Sequence, residues 1–175
     1  MPLTKINNRS LSGTLTSSQY PITNTDLPSG SVIQTVTSDL DTSQIGTSSD
    51  ANVATGLTLA ITPKAAGSSF ILTMASGQQT YGTGGLNMVA ILYRSNPTGS
   101  TPSNIDYFGA IRQSSTYNGT WSCQYTHSAP SYTLGQEVTY HVYFRSRGGG
   151  GTVYFQYNTG GLASHVSLRC DEIKA

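Results

Sequence analysis

From Ser31 onward, apolar residues recur at every second position over short stretches. Leu57, Leu59 and Ile61 alternate with Thr58, Ala60 and Thr62 until Pro63 closes the run. Phe70, Leu72 and Met74 alternate with Ile71, Thr73 and Ala75, and Val89, Ile91 and Tyr93 with Ala90, Leu92 and Arg94. The longest case is Glu137 to Arg145, with Val138, Tyr140, Val142 and Phe144 on one side and Thr139, His141, Tyr143 and Arg145 on the other. A period of two sends successive side chains to opposite faces of a pleated strand, so each stretch predicts a strand with one buried face. The same rule groups Val32 with Gln34 and Val36, Trp121 with Cys123 and Tyr125, and Val166 with Leu168 and Cys170. Adding Tyr107 to Arg112 and Val153 to Tyr157 gives roughly nine strands, separated by Gly, Pro, Asn and Ser clusters. No window of similar length fits a helix better.

Eight or nine short strands predict an antiparallel sandwich of two sheets, Ig-like or jelly roll. The long connections, Ser38 to Val53 and Ser95 to Asn104, favour the jelly roll, whose links cross between sheets. The Gly148–Gly151 run reads as a hairpin connection. Several strands are apolar on both faces: Phe70-Ile71-Leu72, Met88 to Tyr93 and Tyr140 to Phe144. The outer face of a sandwich normally meets water, so a second apolar face predicts a subunit interface and hence an oligomer.

Residues 1–30 follow a different pattern. They hold ten Ser or Thr, three prolines and isolated apolar residues without a sustained period. Such a stretch buries too little to offset its ordering entropy and predicts a leader or an extended arm that orders against a partner. Leu27-Pro28-Ser29-Gly30 marks the boundary, giving an arm over 1–30 and a sandwich over 31–175.

Composition narrows the classes. Only 10% of the residues are charged and the net charge is +1, which leaves no electrostatic basis for nucleic-acid binding or an anionic membrane. Ser and Thr fill 48 positions, and there are 11 tyrosines, a composition suited to strands and turns rather than solvated helices. No apolar run reaches the length of a membrane span, and the first residues lack the apolar core of a signal peptide. Cys123 and Cys170 could be two thiols or one bridge; the absence of an export signal favours thiols.

No catalytic pattern emerges. His127, His141 and His165 are far apart and share no metal-ligand spacing. Asp39, Asp41 and Asp50 lie in one region but fail the order of a calcium loop. Asp171-Glu172 reads as a solvated strand terminus. There is no GxSxG elbow, and the glycine runs Gly82-Thr83-Gly84-Gly85 and Gly148–Gly151 lack the elements that cradle phosphate. Tyr81, Tyr117, Trp121 and Tyr132 could stack on sugar rings, with packing as the alternative fate. The expectation is no enzyme, no cofactor and no metal.

Several segments resemble a known family. Leu27-Pro28-Ser29-Gly30-Ser31-Val32-Ile33-Gln34 is similar to the opening strand of C-terminal head domains in bacteriophage fibre proteins, particularly of marine and cyanobacterial phages. Thr55 to Lys64, followed by Ser68-Ser69-Phe70-Ile71-Leu72, resembles that family's "GL-x-x-x-ITP … SSK-I-L" strand pair, with Phe70 where lysine is common. Val138 to Ser146, the closing Ser167-Leu168-Arg169-Cys170-Asp171-Glu172-Ile173, and Lys5-Ile6-Asn7-Asn8-Arg9-Ser10-Leu11-Ser12-Gly13 upstream look similar as well. The resemblance implies a jelly-roll head of tumour-necrosis-factor-like type, often a homotrimer, carried on a virion. On that basis the chain is expected to be a short fibre or appendage attached to another phage structural protein through its arm. Lys5, Ile6, Arg9, Leu11 and Tyr20 are the candidate attachment residues. Tyr81, Asn96, Tyr117 and Asn118, in Gly/Ser/Asn/Tyr-rich connections, are the candidates for contact with a host-surface glycan or protein. The alternatives are a capsid decoration or head-fibre protein with a purely structural role, and a glycan-binding lectin-like or depolymerase module.

Overall fold

The computed structural model describes residues 23, 24, 26–40, 44–81, 87–97, 99–112, 117–147, 151–156 and 165–175. The attachment candidates Lys5, Ile6, Arg9, Leu11 and Tyr20 lie outside these residues, as do Asp41 and Tyr157. The described chain is all-β: β1 (Val32–Leu40), β2 (Ile45–Thr47), β3 (Val53–Ile61), β4 (Ser69–Tyr81), β5 (Asn87–Ser95), β6 (Ser103–Arg112), β7 (Tyr117–His127), β8 (Val138–Arg147), β9 (Val153–Gln156) and β10 (Val166–Ile173).

The pairings are nested. β5 and β6 form a hairpin, and around it β4 pairs with β7, β3 with β8, β2 with β9 and β1 with β10, all antiparallel. This folded ribbon divides into two sheets. One carries β1-β10-β4-β7, with β9 and β2 continuing from the far end of β4; the other carries β3-β8-β5-β6. The result is an open jelly-roll sandwich, as the strand pattern predicts.

Alternation explains the core. In β3, Leu57, Leu59 and Ile61 are buried between exposed Thr58 and Ala60, and β8 buries Val138, Tyr140, Val142 and Phe144. Phe70, Leu72 and Met74 of β4, Val153 and Phe155 of β9, and Val166, Leu168 and Cys170 of β10 close the core from the facing sheet. Phe144 and Phe155 meet across it with ring centroids 5.6 Å apart.

Several expectations are corrected. The Gly148–Gly151 run does not close a hairpin: β8 and β9 belong to opposite sheets, so the connection crosses the sandwich. The connection from Ser38 to Val53 contains β2, whose three residues are too few for a period to register. Val32 does not share a face with Gln34 and Val36. A bulge between Val32 and Gln34 leaves Val32 53% exposed. Asp171-Glu172 is no solvated terminus, because both lie within β10 and Glu172 is fully buried.

The two-sided apolarity of β5 has an answer within one chain. Val89 and Ile91, on the outer face of their sheet, are only 5% and 1% exposed without any partner subunit. Ile91 is flanked by Tyr143 of β8 and Tyr107 of β6, and Val89 by Arg145, so neighbouring strands supply the cover. Cys123 and Cys170 are unbridged thiols, and burial pushes both up to about 12. They flank β4 from opposite sides, beside Met74 and Leu72.

Candidate functional surfaces

The sandwich has two unlike ends. At one, the chain before β1 is stitched to the chain after β10. Gly30 N donates to Lys174 O at 2.9 Å, Lys174 N donates to Ser31 O at 2.9 Å, and Lys174 Nζ donates to Leu27 O. Asp26 caps the preceding turn, accepting from Thr23 N (2.8 Å) and Thr23 Oγ1 (2.6 Å). Beneath this crossing lies Glu172. Its Oε2 accepts from Gln34 Nε2 at 2.7 Å, and its two oxygens accept from Lys64 N (3.0 Å each) and Ala65 N (3.1 Å). Gln34 Nε2 also reaches Thr62 O at 2.8 Å. One buried carboxyl group thus joins β1, β10 and the connection after β3. Local sequence offers no sign of this clamp, because the backbone donors lie more than a hundred positions away.

At the same end, Tyr140 is fully buried among Phe70, Tyr132 and His127. His127 Nδ1 lies 3.1 Å from the Tyr140 hydroxyl, which Arg94 also engages. Burial, and secondarily the Arg94 guanidinium, push the His127 imidazole down to about 4. This histidine is therefore neutral in the folded chain down to about pH 4 and charged in the unfolded chain below its ordinary value near 6.5. Between those values the unfolded state binds more protons. The contribution is complete above pH 6.5 and falls as the pH drops towards 4, by about 2 kcal/mol once solvent access to the half-buried ring is allowed for. Urea unfolding at pH 7 and pH 4.5 is expected to show this loss, and His127→Gln to flatten most of it. His141, also lowered by burial, adds a residual slope of the same sign.

The opposite end is built from the far ends of β4 and β7. Tyr81 pairs with Tyr117, Thr80 with Asn118, and Tyr81 also with Val153. Tyr81, Tyr117 and Asn118 were expected in connections; the structure places them in strands and brings them together. Asn96 does not join them. It follows β5 at the end where Lys174 is tied down, its peptide to Pro97 is cis, and its Nδ2 donates to Ser131 O at 2.8 Å. Two other aromatic candidates are used in packing. Tyr132 accepts from Ser68 N and donates to Ala65 O, while Trp121 lies over Gly109 between the open edges of the sheets.

The outer face of the β3-β8-β5-β6 sheet carries a layer of linked side chains. Tyr93 and Tyr143 rings lie 4.3 Å apart, and Asn52 Nδ2 donates to Tyr93 Oη at 2.6 Å. Arg145 Nη2 donates to Tyr107 Oη at 3.1 Å, with its guanidinium 5.8 Å from that ring's centroid. His141 Nε2 and Ser95 Oγ share a hydrogen bond of 2.9 Å. Sequence periodicity does place His141, Tyr143 and Arg145 on one face, but not beside Tyr93 and Tyr107.

No protein-family model and no curated protein matches the chain. Among the described residues, no His, Cys, Asp and Glu side chains gather into a group that could hold a metal ion, and His127, His141 and His165 stay apart. No described helix is long and apolar enough to cross a membrane. A hollow of about 230 Å³ is lined, among the described residues, by Ala75, Thr120, Trp121 and Ser122, which present hydroxyls and an indole. The described residues present a tied-down end, a far end where the strand positions of Tyr81, Tyr117 and Asn118 pair, and an aromatic sheet face between them.

Proposed function

We propose that the chain is a non-enzymatic structural protein of a bacteriophage particle, a short fibre or appendage whose head works as a homotrimer. The arm over residues 1–30 would attach it to another virion protein, and the opposite end of the sandwich would meet the host surface. One observation carries this reading. Residues 27–31 are fastened to Lys174 at one end, while Tyr81, Tyr117 and Asn118 occupy paired strand positions at the other, which supports separate ends for anchoring and recognition. Asn96, on the tied-down side, is left out of the recognition surface.

The low charge content supports assembly, since 10% charged residues is little for a domain that stays apart in solution. The resemblance to phage fibre heads points the same way. The burial of Val89 and Ile91 by their own sheet removes one reason for expecting a partner, so the trimer rests on these two arguments.

Native mass measurement on the purified chain is expected to give a trimer of the 18.5 kDa subunit. Removal of residues 1–26 is expected to leave that trimer intact and to abolish incorporation into particles. A stable monomer would refute the trimeric head, and unimpaired incorporation would refute the anchoring arm.

A further inference from the structure

We infer that the outer face of the β3-β8-β5-β6 sheet is a binding surface for a carboxylated saccharide, a site distinct from the clustered end and independent of any place on a virion. The face is a flat pleated array bearing Tyr93, Tyr107 and Tyr143, with Asn52, His141 and Arg145 among them. Tyr107 is 58% exposed, so a large ring is offered to solvent rather than folded into the core. Tyrosine rings pack on the apolar C–H face of a pyranose, while amide, imidazole and phenol groups exchange hydrogen bonds with its hydroxyls.

The sign of the ligand comes from Arg145. Among the described residues no carboxylate pairs with its guanidinium, which donates to the Tyr107 hydroxyl. Its Nε is buried without a hydrogen-bond partner, and so is Asn52 Oδ1 on the same face. Asp106, beside Tyr107 in sequence, lies on the other face of β6 opposite Leu92, and its Oδ1 accepts from the backbone N of Tyr107. Unpaired buried polar atoms are uncommon in native proteins, and an uncompensated guanidinium stacked over an aromatic ring is suited to a planar carboxylate. A neutral glycan would leave that charge as it is; a uronic or similar acid would compensate it.

The test is calorimetric titration of the full chain at low salt with oligogalacturonate and with alginate oligomers, against neutral maltohexaose. The acidic oligomers are expected to bind at least tenfold more tightly than maltohexaose. Arg145→Gln should lose that difference, Arg145→Lys should keep part of it, and Tyr107→Ala should weaken all binding several-fold while circular dichroism shows the same β content. Failure of both acidic probes to bind, equal binding of maltohexaose, or unchanged binding by Arg145→Gln would each overturn the inference. Dissociation of an oligomer by Tyr107→Ala would overturn it too, assigning the face to a second copy. None of these results bears on particle incorporation, which is read separately.

Discussion

Replacing Glu172 by leucine is expected to lower the unfolding free energy by about 4 kcal/mol, a large fraction of the 5–15 kcal/mol typical of a domain. The side chain is 0% exposed and serves Gln34 Nε2, Lys64 N and Ala65 N together. Leucine fills similar space but accepts nothing. The donors must then find water or stay unpaired, each at about 1–3 kcal/mol where burial persists. Glutamine is a sharper probe. It keeps the shape and one acceptor but turns an NH2 group towards donors, so Glu172→Gln should recover only part of the loss. For a domain of this size, the leucine variant should melt about 10–15 °C lower. A fall of less than about 3 °C would mean that Glu172 is not holding this end together.

The second large effect is expected at Gly109. A Cβ built there would sit 2.2 Å from Cζ2 of Trp121, far inside contact distance. Gly109 is on β6 and Trp121 on β7, the outermost strands of the two sheets, so the indole closes the open side of the sandwich. Gly109→Ala must push the indole out, costing about 2–4 kcal/mol in lost packing. Trp121 is the one tryptophan, so its fluorescence reports the displacement directly, as a red shift in the folded state. Trp121→Leu alone should destabilise by a similar amount. Combined with Gly109→Ala it should cost clearly less than the two effects added, because the clash is gone. Strict additivity would show that the glycine is tolerant for some other reason.

These two positions also show what can be read from sequence and what cannot. The period of two was legible in β3, whose outward residues are exposed, and in β8, where half-buried His141, Tyr143 and Arg145 alternate with the fully buried Tyr140, Val142 and Phe144. It was ambiguous in β5, where Met88 to Leu92 are all buried. A strand apolar on both faces reads from sequence as an interface, but here Tyr107, Tyr143 and Arg145 supply the second cover. Those three residues were visible as members of alternating faces; their meeting beside Ile91 and Val89 depends on the register of strands distant in sequence. Glu172 was misjudged for the same reason. An acid near a strand terminus is ordinarily solvated, and only the return of residues 64 and 65 beneath β10 makes it a buried acceptor. Among the candidate site residues, Tyr81, Tyr117 and Asn118 were expected in connections but lie in paired strands, since Gly- and Asn-rich stretches resemble turns even where strands continue. Asn96 was grouped by composition alone, and topology sends it to the other end.

The seam between β1 and β10 has a mechanical consequence. Among the described strands β1 pairs with β10 alone, from Val32 opposite Ile173 to Leu40 opposite Val166, and the chain before it lies at the end where Lys174 and Glu172 are fixed. A pull on the chain before Ser31, resisted at the opposite end of the head, would run along the axis of β1. The hydrogen bonds of an antiparallel pair lie across that axis, so such a load shears the whole register at once instead of unzipping it one bond at a time. A load across that axis would instead open the pairs one after another. The head is therefore arranged to bear load along the line from its N-terminal side to the far ends of β4 and β7.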